Sequence, residues 1–114
     1  MKTKILVVDD DREILNSTGI FLKAEGYEVL KAENGRSALD ILEKEEISLM
    51  LLDIMMPDMD GISTLLKLRE TMNIPVILIS AKSEDGDKIL GLSAGADDYV
   101  TKPFNPSELM ARVK

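Results

Sequence analysis

Three consecutive aspartates, Asp9, Asp10 and Asp11, follow four apolar residues in the stretch ILVVDDD. Adjacent carboxylates repel one another and resist burial, so their position after an apolar run predicts a group that balances their charge. Another aspartate, Asp53, ends the apolar run of LLDIMMPDMDG. The chain contains no histidine and no cysteine, so a metal ion at these residues would be held by oxygen atoms. A hard divalent cation such as Mg²⁺, with several waters retained, is the simplest balancing group.

These acids need a scaffold that brings distant parts of the chain together. Apolar runs alternate with amphipathic stretches at a spacing of about 25 residues, which indicates β-α repeats and a parallel sheet. Continuous apolar runs are typical of central strands covered on both faces, and they comprise residues 5–8, 49–52 and 76–79. Runs that mix polar and apolar residues favour edge strands, and they comprise residues 27–31 and 97–101. Helices are predicted after Asp11, after Asn34-Gly35, near residues 61–72 and 84–94, and from Ser107 onward.

Right-handed crossovers, with strands two and five at the edges, predict the sheet order 2-1-3-4-5. The predicted fold class is therefore α/β, a single doubly wound, flavodoxin-like domain with a five-stranded parallel sheet and five helices on its two faces. Ligands of such sheets bind at the carboxyl ends of the strands, where the winding reverses between strands one and three. That crevice receives Asp9, Asp10 and Asp53, with Ser80 and Lys102 from the ends of strands four and five. An acidic metal pocket beside a lysine suits a phosphoryl group.

Composition limits the classes of function. A chain of 114 residues, 45% of them hydrophobic, has the size of one domain and enough apolar residues to line its core. The formal net charge of −7 argues against direct binding of this segment to nucleic acid, which requires clustered Lys and Arg. No apolar stretch approaches the roughly 18 residues of a membrane span, and the first residues, MKTK, do not begin a signal-peptide pattern. No membrane partner is expected, and the default location is cytoplasmic.

Other functions of the acidic residues are less consistent with the sequence. Asp11 is predicted to be a helix cap rather than a ligand, because aspartate is favoured at helix N-termini. A calcium loop through Asp58, Asp60 and Gly61 fails because its last position would be Lys67, where Glu is required. An aspartyl phosphohydrolase would need a cap or further motifs, which 114 residues hardly accommodate. A flavin-binding module would need a phosphate loop rich in Ser, Thr and Gly where this chain has three acids.

Several short motifs occur in a fixed order along the chain: VVDDD, D-x-x-x-P-x-x-D-G from Asp53 to Gly61, SAK, GADDY and TKPF. Together they resemble the receiver domain of bacterial two-component response regulators, over essentially all 114 residues. The resemblance implies that Asp53 accepts a phosphoryl group from a sensor histidine kinase, and that the protein is a phosphorylation-activated switch rather than an enzyme. It also implies that Asp9, Asp10, Asp53 and the backbone carbonyl of Met55 hold Mg²⁺, with Mn²⁺ as an alternative.

The same resemblance assigns roles to residues at the ends of strands four and five. Lys102 would pair with the phosphoryl oxygens, Ser80 would bond the phosphoryl group, and Tyr99 would turn inward as Ser80 moves. A small side chain at Ala81 would keep the acceptor accessible. The Lys102–Pro103 bond would be cis, a form that X-Pro bonds adopt at little cost, and would direct the lysine into the pocket.

The stretch from Ile74 to Lys114 looks like the winged-helix transcription factors of the OmpR/PhoB type, whose active dimer forms through helix four, strand five and helix five. The matching residues comprise charge pairs and an apolar patch, namely Lys88 with Glu108, Asp98 with Arg112, Asp97 with Lys114, and the patch of Ile89, Leu92 and Ala111. The chain stops at Lys114 within a helical pattern, so residues 1–114 are expected to be a receiver that reaches DNA only through a C-terminal domain outside this segment. A stand-alone receiver, or a docking module that works without phosphorylation, is the alternative.

Overall fold

The sheet has the predicted order. The structure is a computed structural model that describes residues 3–54, 61–80 and 95–101, with the backbone alone at residues 80, 99 and 101. Its five strands are parallel and lie in the order β2-β1-β3-β4-β5. The strands are β1 Lys4–Val8, β2 Glu28–Ala32, β3 Leu49–Asp53, β4 Val76–Ser80 and β5 Asp98–Thr101. Each begins and ends within about one residue of its predicted position, which is the ordinary uncertainty of such boundaries.

Three helices lie within the described residues: α1 Arg12–Ala24, α2 Gly35–Lys44 and α3 Gly61–Arg69. The helices predicted near residues 84–94 and from Ser107 onward fall outside the described part of the chain. Helix α3 ends at Arg69 rather than at Met72. The next residues form tighter turns, in which the amides of Glu70 and Thr71 donate to carbonyls three residues earlier. The helix therefore unwinds through a last 3₁₀-type turn, which is common at helix C-termini.

Side chains on the described helices and strands form a core on each face of the sheet. On the α1 face the buried residues include Ile5, Val7, Leu22, Leu49, Leu51 and Ile77. On the face of α2 and α3 they include Leu6, Val8, Met50, Leu52, Leu65 and Leu78. Successive strand residues alternate between these two cores, and because both faces are covered the central strands are continuously apolar. Helices on both faces were predicted, and the three described helices confirm this.

The two mixed-polarity strands occupy the edges, as predicted. Strand β2 pairs only with β1 and β5 only with β4 among the described strands. In β2 the side chains of Val29 and Leu30 are partly exposed, whereas those of β1 and β3 are almost entirely buried. Within the described ranges, no helix combines the length and the apolar character that crossing a membrane requires.

Candidate functional site

Strand register brings Asp9 and Asp53 together at the carboxyl ends of β1 and β3. Val8 of β1 is paired with Leu52 of β3, so the next residue of each strand is an aspartate. Both side chains lie beneath the surface, with exposed fractions of 2% for Asp9 and 3% for Asp53. Side chains alternate between the two faces of a strand, so both aspartates lie on the face of the sheet that packs against α1. The predicted convergence of these two acids is therefore present.

Local hydrogen bonds fix the position of Asp9. Its amide donates to the carbonyl oxygen of Ala32 at 3.1 Å, which continues the pairing of β1 with β2 by one residue. Its Oδ1 accepts a hydrogen bond from the amide of Asp11 at 3.0 Å. This short turn directs the chain from β1 into α1 while keeping the carboxylate at the end of the strand.

Asp10 joins the two buried acids, and Asp11 does not. One carboxylate oxygen from each of Asp9, Asp10 and Asp53 lies within 4.8 Å of the others, and Asp10 is exposed. Asp11 is the N-cap of α1, and its Oδ1 accepts from the amide of Glu13 at 2.9 Å and from that of Ile14 at 3.4 Å. The predicted role of Asp11 as a cap is confirmed. The acidic cluster therefore comprises Asp9, Asp10 and Asp53.

The donor set fits a hard divalent cation. All three groups are carboxylates, two buried and one open to solvent, so one ion could contact the protein on one side and keep waters on the other. Ligand oxygens about 2.1 Å from Mg²⁺ lie about 3 to 4 Å apart in octahedral geometry. The three carboxylate oxygens, within 4.8 Å of one another, lie close to that spacing. A cation would also offset the mutual repulsion of the carboxylates.

Gly61, the first residue of α3, packs against the backbone that carries Asp53. A Cβ atom at this position would lie 2.3 Å from the carbonyl oxygen of Asp53 and 2.7 Å from the Cα of Ile54. The Gly61 amide also donates to the Ile54 carbonyl at 2.9 Å. The sequence predicted a helix near residues 61–72 but not this contact, and the signal available was the glycine at the start of that helix.

Strand β4 places the backbone of one more predicted residue, Ser80, at the same edge of the sheet. Asp53 is in register with Ile79, and the next pair along is Ser80 with Thr101. Ser80 thus ends β4 one residue beyond the partner of Asp53. Tyr99 lies in β5, opposite Leu78. The side chains of Ser80 and Tyr99, and residues Met55, Ala81, Lys102 and Pro103 altogether, lie outside what the structure describes, so their roles stay predictions.

Of the predicted dimer face, the structure describes only Asp97 and Asp98. Asp98 is the first residue of β5 and is partly buried. Asp97 has intramolecular contacts that the sequence did not predict: its Oδ2 accepts from the amide of Val76 at 2.8 Å and forms an ion pair with Arg69 at 3.2 Å. The other predicted members lie outside the described residues, namely Lys88, Ile89, Leu92, Glu108, Ala111, Arg112 and Lys114.

Comparison with known proteins identifies the family. The family described as "Response regulator receiver domain" matches residues 5–114. The chain belongs to the response regulator receiver domain family. Regulatory protein VanRc of Enterococcus gallinarum is 54% identical over 114 residues, which cover 100% of this chain and 49% of the relative. Transcriptional regulatory protein CpxR of Escherichia coli is 50% identical over 111 residues, covering 97% and 47%.

A solved structure agrees with the sequence relationship. Response regulator DrrB, described as a Thermotoga maritima OmpR/PhoB homolog, superimposes on this receiver domain with a TM-score of 0.90 and 41% identity. The match covers 100% of this chain and 52% of DrrB. The predicted resemblance to receiver domains, and to the OmpR/PhoB type among them, is thus confirmed. The chain spans about half the length of the curated relatives it matches. Receiver domains are regulatory modules, and phosphorylation and Mg²⁺ binding are typical of the family.

Proposed function

We propose that this receiver domain is a phosphorylation-activated switch that accepts a phosphoryl group on Asp53 from a sensor histidine kinase, with Mg²⁺ at Asp9, Asp10 and Asp53. The observation that carries the proposal is the acidic cluster itself, in which two buried carboxylates and one exposed carboxylate lie within 4.8 Å at the carboxyl end of the sheet. This is the edge where doubly wound sheets bind their ligands.

The chemistry requires few groups. A carboxylate oxygen of Asp53 attacks phosphorus, and the new O–P bond forms as the bond between phosphorus and the donor's nitrogen breaks. Asp53 attacks as the anion, so no general base is required, which is consistent with a chain that lacks histidine. Phosphoryl transfer depends mainly on in-line positioning and charge stabilisation. A bound Mg²⁺ would supply part of that stabilisation, and Lys102 would supply a further positive charge.

Burial of Asp53 and the packing around it serve the same chemistry. The carboxylate is 3% exposed, and the backbone that carries it is paired with β4 and contacted by Gly61. A nucleophile held in this way loses little conformational entropy in the transition state. Asp53 is the acceptor that we propose, in agreement with the role that its motif D-x-x-x-P-x-x-D-G implies by resemblance to receiver domains.

Labelling tests the acceptor assignment. Acetyl phosphate carrying labelled phosphorus, with Mg²⁺, should add one acid-stable, hydroxylamine-sensitive group per chain, and Asp53→Asn should abolish it. Asp11→Asn is the matched control, because asparagine also caps helices and Asp11 lies outside the cluster. Labelling that persists in Asp53→Asn, or that maps to Asp9 or Asp10, would contradict the assignment.

Thermal unfolding tests the metal assignment separately. A ligand that binds only the folded state at a hundredfold its dissociation constant stabilises it by about 2.7 kcal/mol. Magnesium at constant ionic strength should therefore raise the melting temperature, and Asp10→Asn or Asp53→Asn should reduce the increase. Asp11→Asn should retain most of it. A melting temperature that does not respond to magnesium would count against a cation at this cluster.

For the output step, we propose that phosphorylation remodels the face made by helix four, strand five and helix five and promotes a two-fold dimer. The relatives named as regulatory proteins are about twice as long as this chain, which is consistent with a DNA-binding output domain beyond it. Sedimentation with and without beryllofluoride, a mimic of the phosphoryl group, tests the dimer. The shift toward dimer should be lost in Arg112→Glu and partly restored by adding Asp98→Arg, and a dimer unaffected by both changes would indicate another interface.

A further inference from the structure

The side chain of Arg69 joins the end of α3 to two other segments. Its Nη1 donates to the carbonyl oxygen of Ile74 at 2.7 Å, and its Nε and Nη2 donate to that of Gly95 at 3.0 and 2.8 Å. Only 16% of the side chain is exposed. Because a guanidinium is a rigid planar fork, three hydrogen bonds to two carbonyls determine both its position and its orientation.

Asp97 is held through one of its two carboxylate oxygens. Its Oδ2 accepts from Nη2 of Arg69 and from the amide of Val76, while its own amide donates to the Val76 carbonyl at 2.9 Å. Among the residues that the structure describes, Oδ1 has no hydrogen-bond partner, and 57% of the side chain is exposed. The carboxylate is therefore fixed from inside the domain and still accessible from outside.

Gly95 allows the chain to approach Arg69 closely. Its φ of +109° is one that other residues rarely adopt, and a Cβ atom there would lie 3.1 Å from Nε and 3.3 Å from Cγ of Arg69. The backbone that leads into β5 is thus packed directly on the guanidinium. Arg69 therefore fixes the position of the backbone just before Asp97.

We propose that Arg69 is a positioning residue for Asp97: together with the amide of Val76 it holds Oδ2, so that Oδ1 is available to a cationic side chain of a second copy of this chain. The inference rests on the proposed dimerisation. Fixing the carboxylate in advance lowers the entropy cost of an intersubunit ion pair. In a two-fold dimer the pair forms twice, so any effect on one pair is also doubled in free energy.

Arg69 could in principle act in the opposite way, by competing with the partner subunit for the Asp97 carboxylate. The contacts favour the positioning role. Arg69 is anchored by the carbonyls of Ile74 and Gly95 whether or not Asp97 is present. The amide of Val76 binds the same oxygen as Arg69, so both contacts leave Oδ1 available. Competition would instead require Asp97 to give up both contacts before it could reach a partner.

Sedimentation equilibrium of the chain loaded with Mg²⁺ and beryllofluoride tests the inference. Arg69→Gln should raise the dimer dissociation constant about fivefold, as expected for two partly exposed ion pairs that lose their positioning. Arg69→Lys should weaken the dimer to a similar extent, because one ammonium group cannot bond both carbonyls in the same geometry. The control is Lys67→Gln, which removes a charge from the same end of α3 at a residue whose ion-pair partner among the described residues is Glu70, 3.9 Å away, with both side chains 65% exposed. It should leave the dimer unchanged.

A second set of measurements separates this inference from the proposed function and from misfolding. Labelling of Asp53 should be the same in wild type and Arg69→Gln. Asp97→Asn keeps an acceptor for the Val76 amide and removes the charge, so it should weaken the dimer. This second variant keeps the test valid if Arg69→Gln folds poorly. The inference is overturned if Arg69→Gln or Asp97→Asn dimerises as well as wild type or better, or if Arg69→Lys matches wild type. It also fails if wild type is labelled but stays monomeric, whereas absence of labelling in wild type would contradict the proposed function itself.

Discussion

Gly61 offers the most direct test of how the fold supports the acidic cluster. In Gly61→Ala the added methyl would lie 2.3 Å from the Asp53 carbonyl oxygen, 2.7 Å from the Ile54 Cα and 2.9 Å from the Asp53 carbonyl carbon. All three atoms belong to the backbone at the end of a central strand, so no side-chain rotation can relieve the contact. We expect α3 to move away from β3, with loss of the hydrogen bond between the Gly61 amide and the Ile54 carbonyl.

The expected magnitude follows from two opposing effects. Overpacking a well-filled site usually costs about 1 to 3 kcal/mol, and contacts with backbone favour the upper part of that range. Alanine is a better helix former than glycine by at most about 1 kcal/mol, and by less in the first turn of a helix. Gly61→Ala should therefore lower the free energy of unfolding by about 2 kcal/mol. With a typical urea dependence this moves the denaturation midpoint down by about 1 M.

Gly19→Ala is a matched control within α1. A Cβ there would lie 2.8 Å from Cε of Lys31, which is the far end of an exposed side chain that can swing away. Its stability should equal or slightly exceed that of wild type, because alanine favours the helix. Gly61→Ala should also reduce Mg²⁺-dependent labelling of Asp53, while Gly19→Ala should not. Equal urea midpoints for Gly61→Ala and wild type would refute the steric argument.

Other substitutions test the cap and the core. Asp11→Ala should lower the free energy of unfolding by about 1 kcal/mol through loss of the α1 cap, and the increase in melting temperature on adding Mg²⁺ should be retained. A lost magnesium response would place Asp11 in the cation site after all. Leu52→Ala, at a fully buried position of β3, should cost about 3 kcal/mol in urea unfolding, whereas Leu66→Ala, on the exposed side of α3, should stay within about 0.5 kcal/mol of wild type. Similar costs for the two leucines would mean that the core is not packed as described.

The central strands could be predicted because their signal is local. The runs at residues 5–8, 49–52 and 76–79 are apolar throughout, and burial between two helical layers is the ordinary reason for such runs in a parallel sheet. The cap at Asp11 was equally accessible, since a cap acts on amides two or three residues away. The edges at β2 and β5 followed from their mixed polarity.

The Arg69 junction could not be predicted, because its contacts join residues that are distant in sequence. An arginine near the C-terminal end of a helix interacts favourably with the helix dipole and usually remains in solvent. The sequence pattern therefore does not distinguish an exposed Arg69 from one whose guanidinium is buried against backbone carbonyls. Its partners Gly95 and Asp97 lie 26 and 28 residues later. Asp97 was predicted only as a member of the dimer face. The hydrogen bond from Val76 arises from the pairing of β4 with β5, which places Asp97 beside the first residue of β4.

The register of β3 links the stability of the core to the geometry of the site. Leu49 and Leu51 face α1, and Asp53 is the next residue on that side. A slip of one residue against β1 would move these leucines to the opposite face and would carry Asp53 away from Asp9 at the same time. Because both faces of the sheet are buried, the slip would exchange these leucines with Met50 and Leu52 between the two cores, and its cost would come from repacking side chains of different shape. The register that the two cores require therefore also sets the backbone position from which the Asp53 carboxylate reaches that of Asp9.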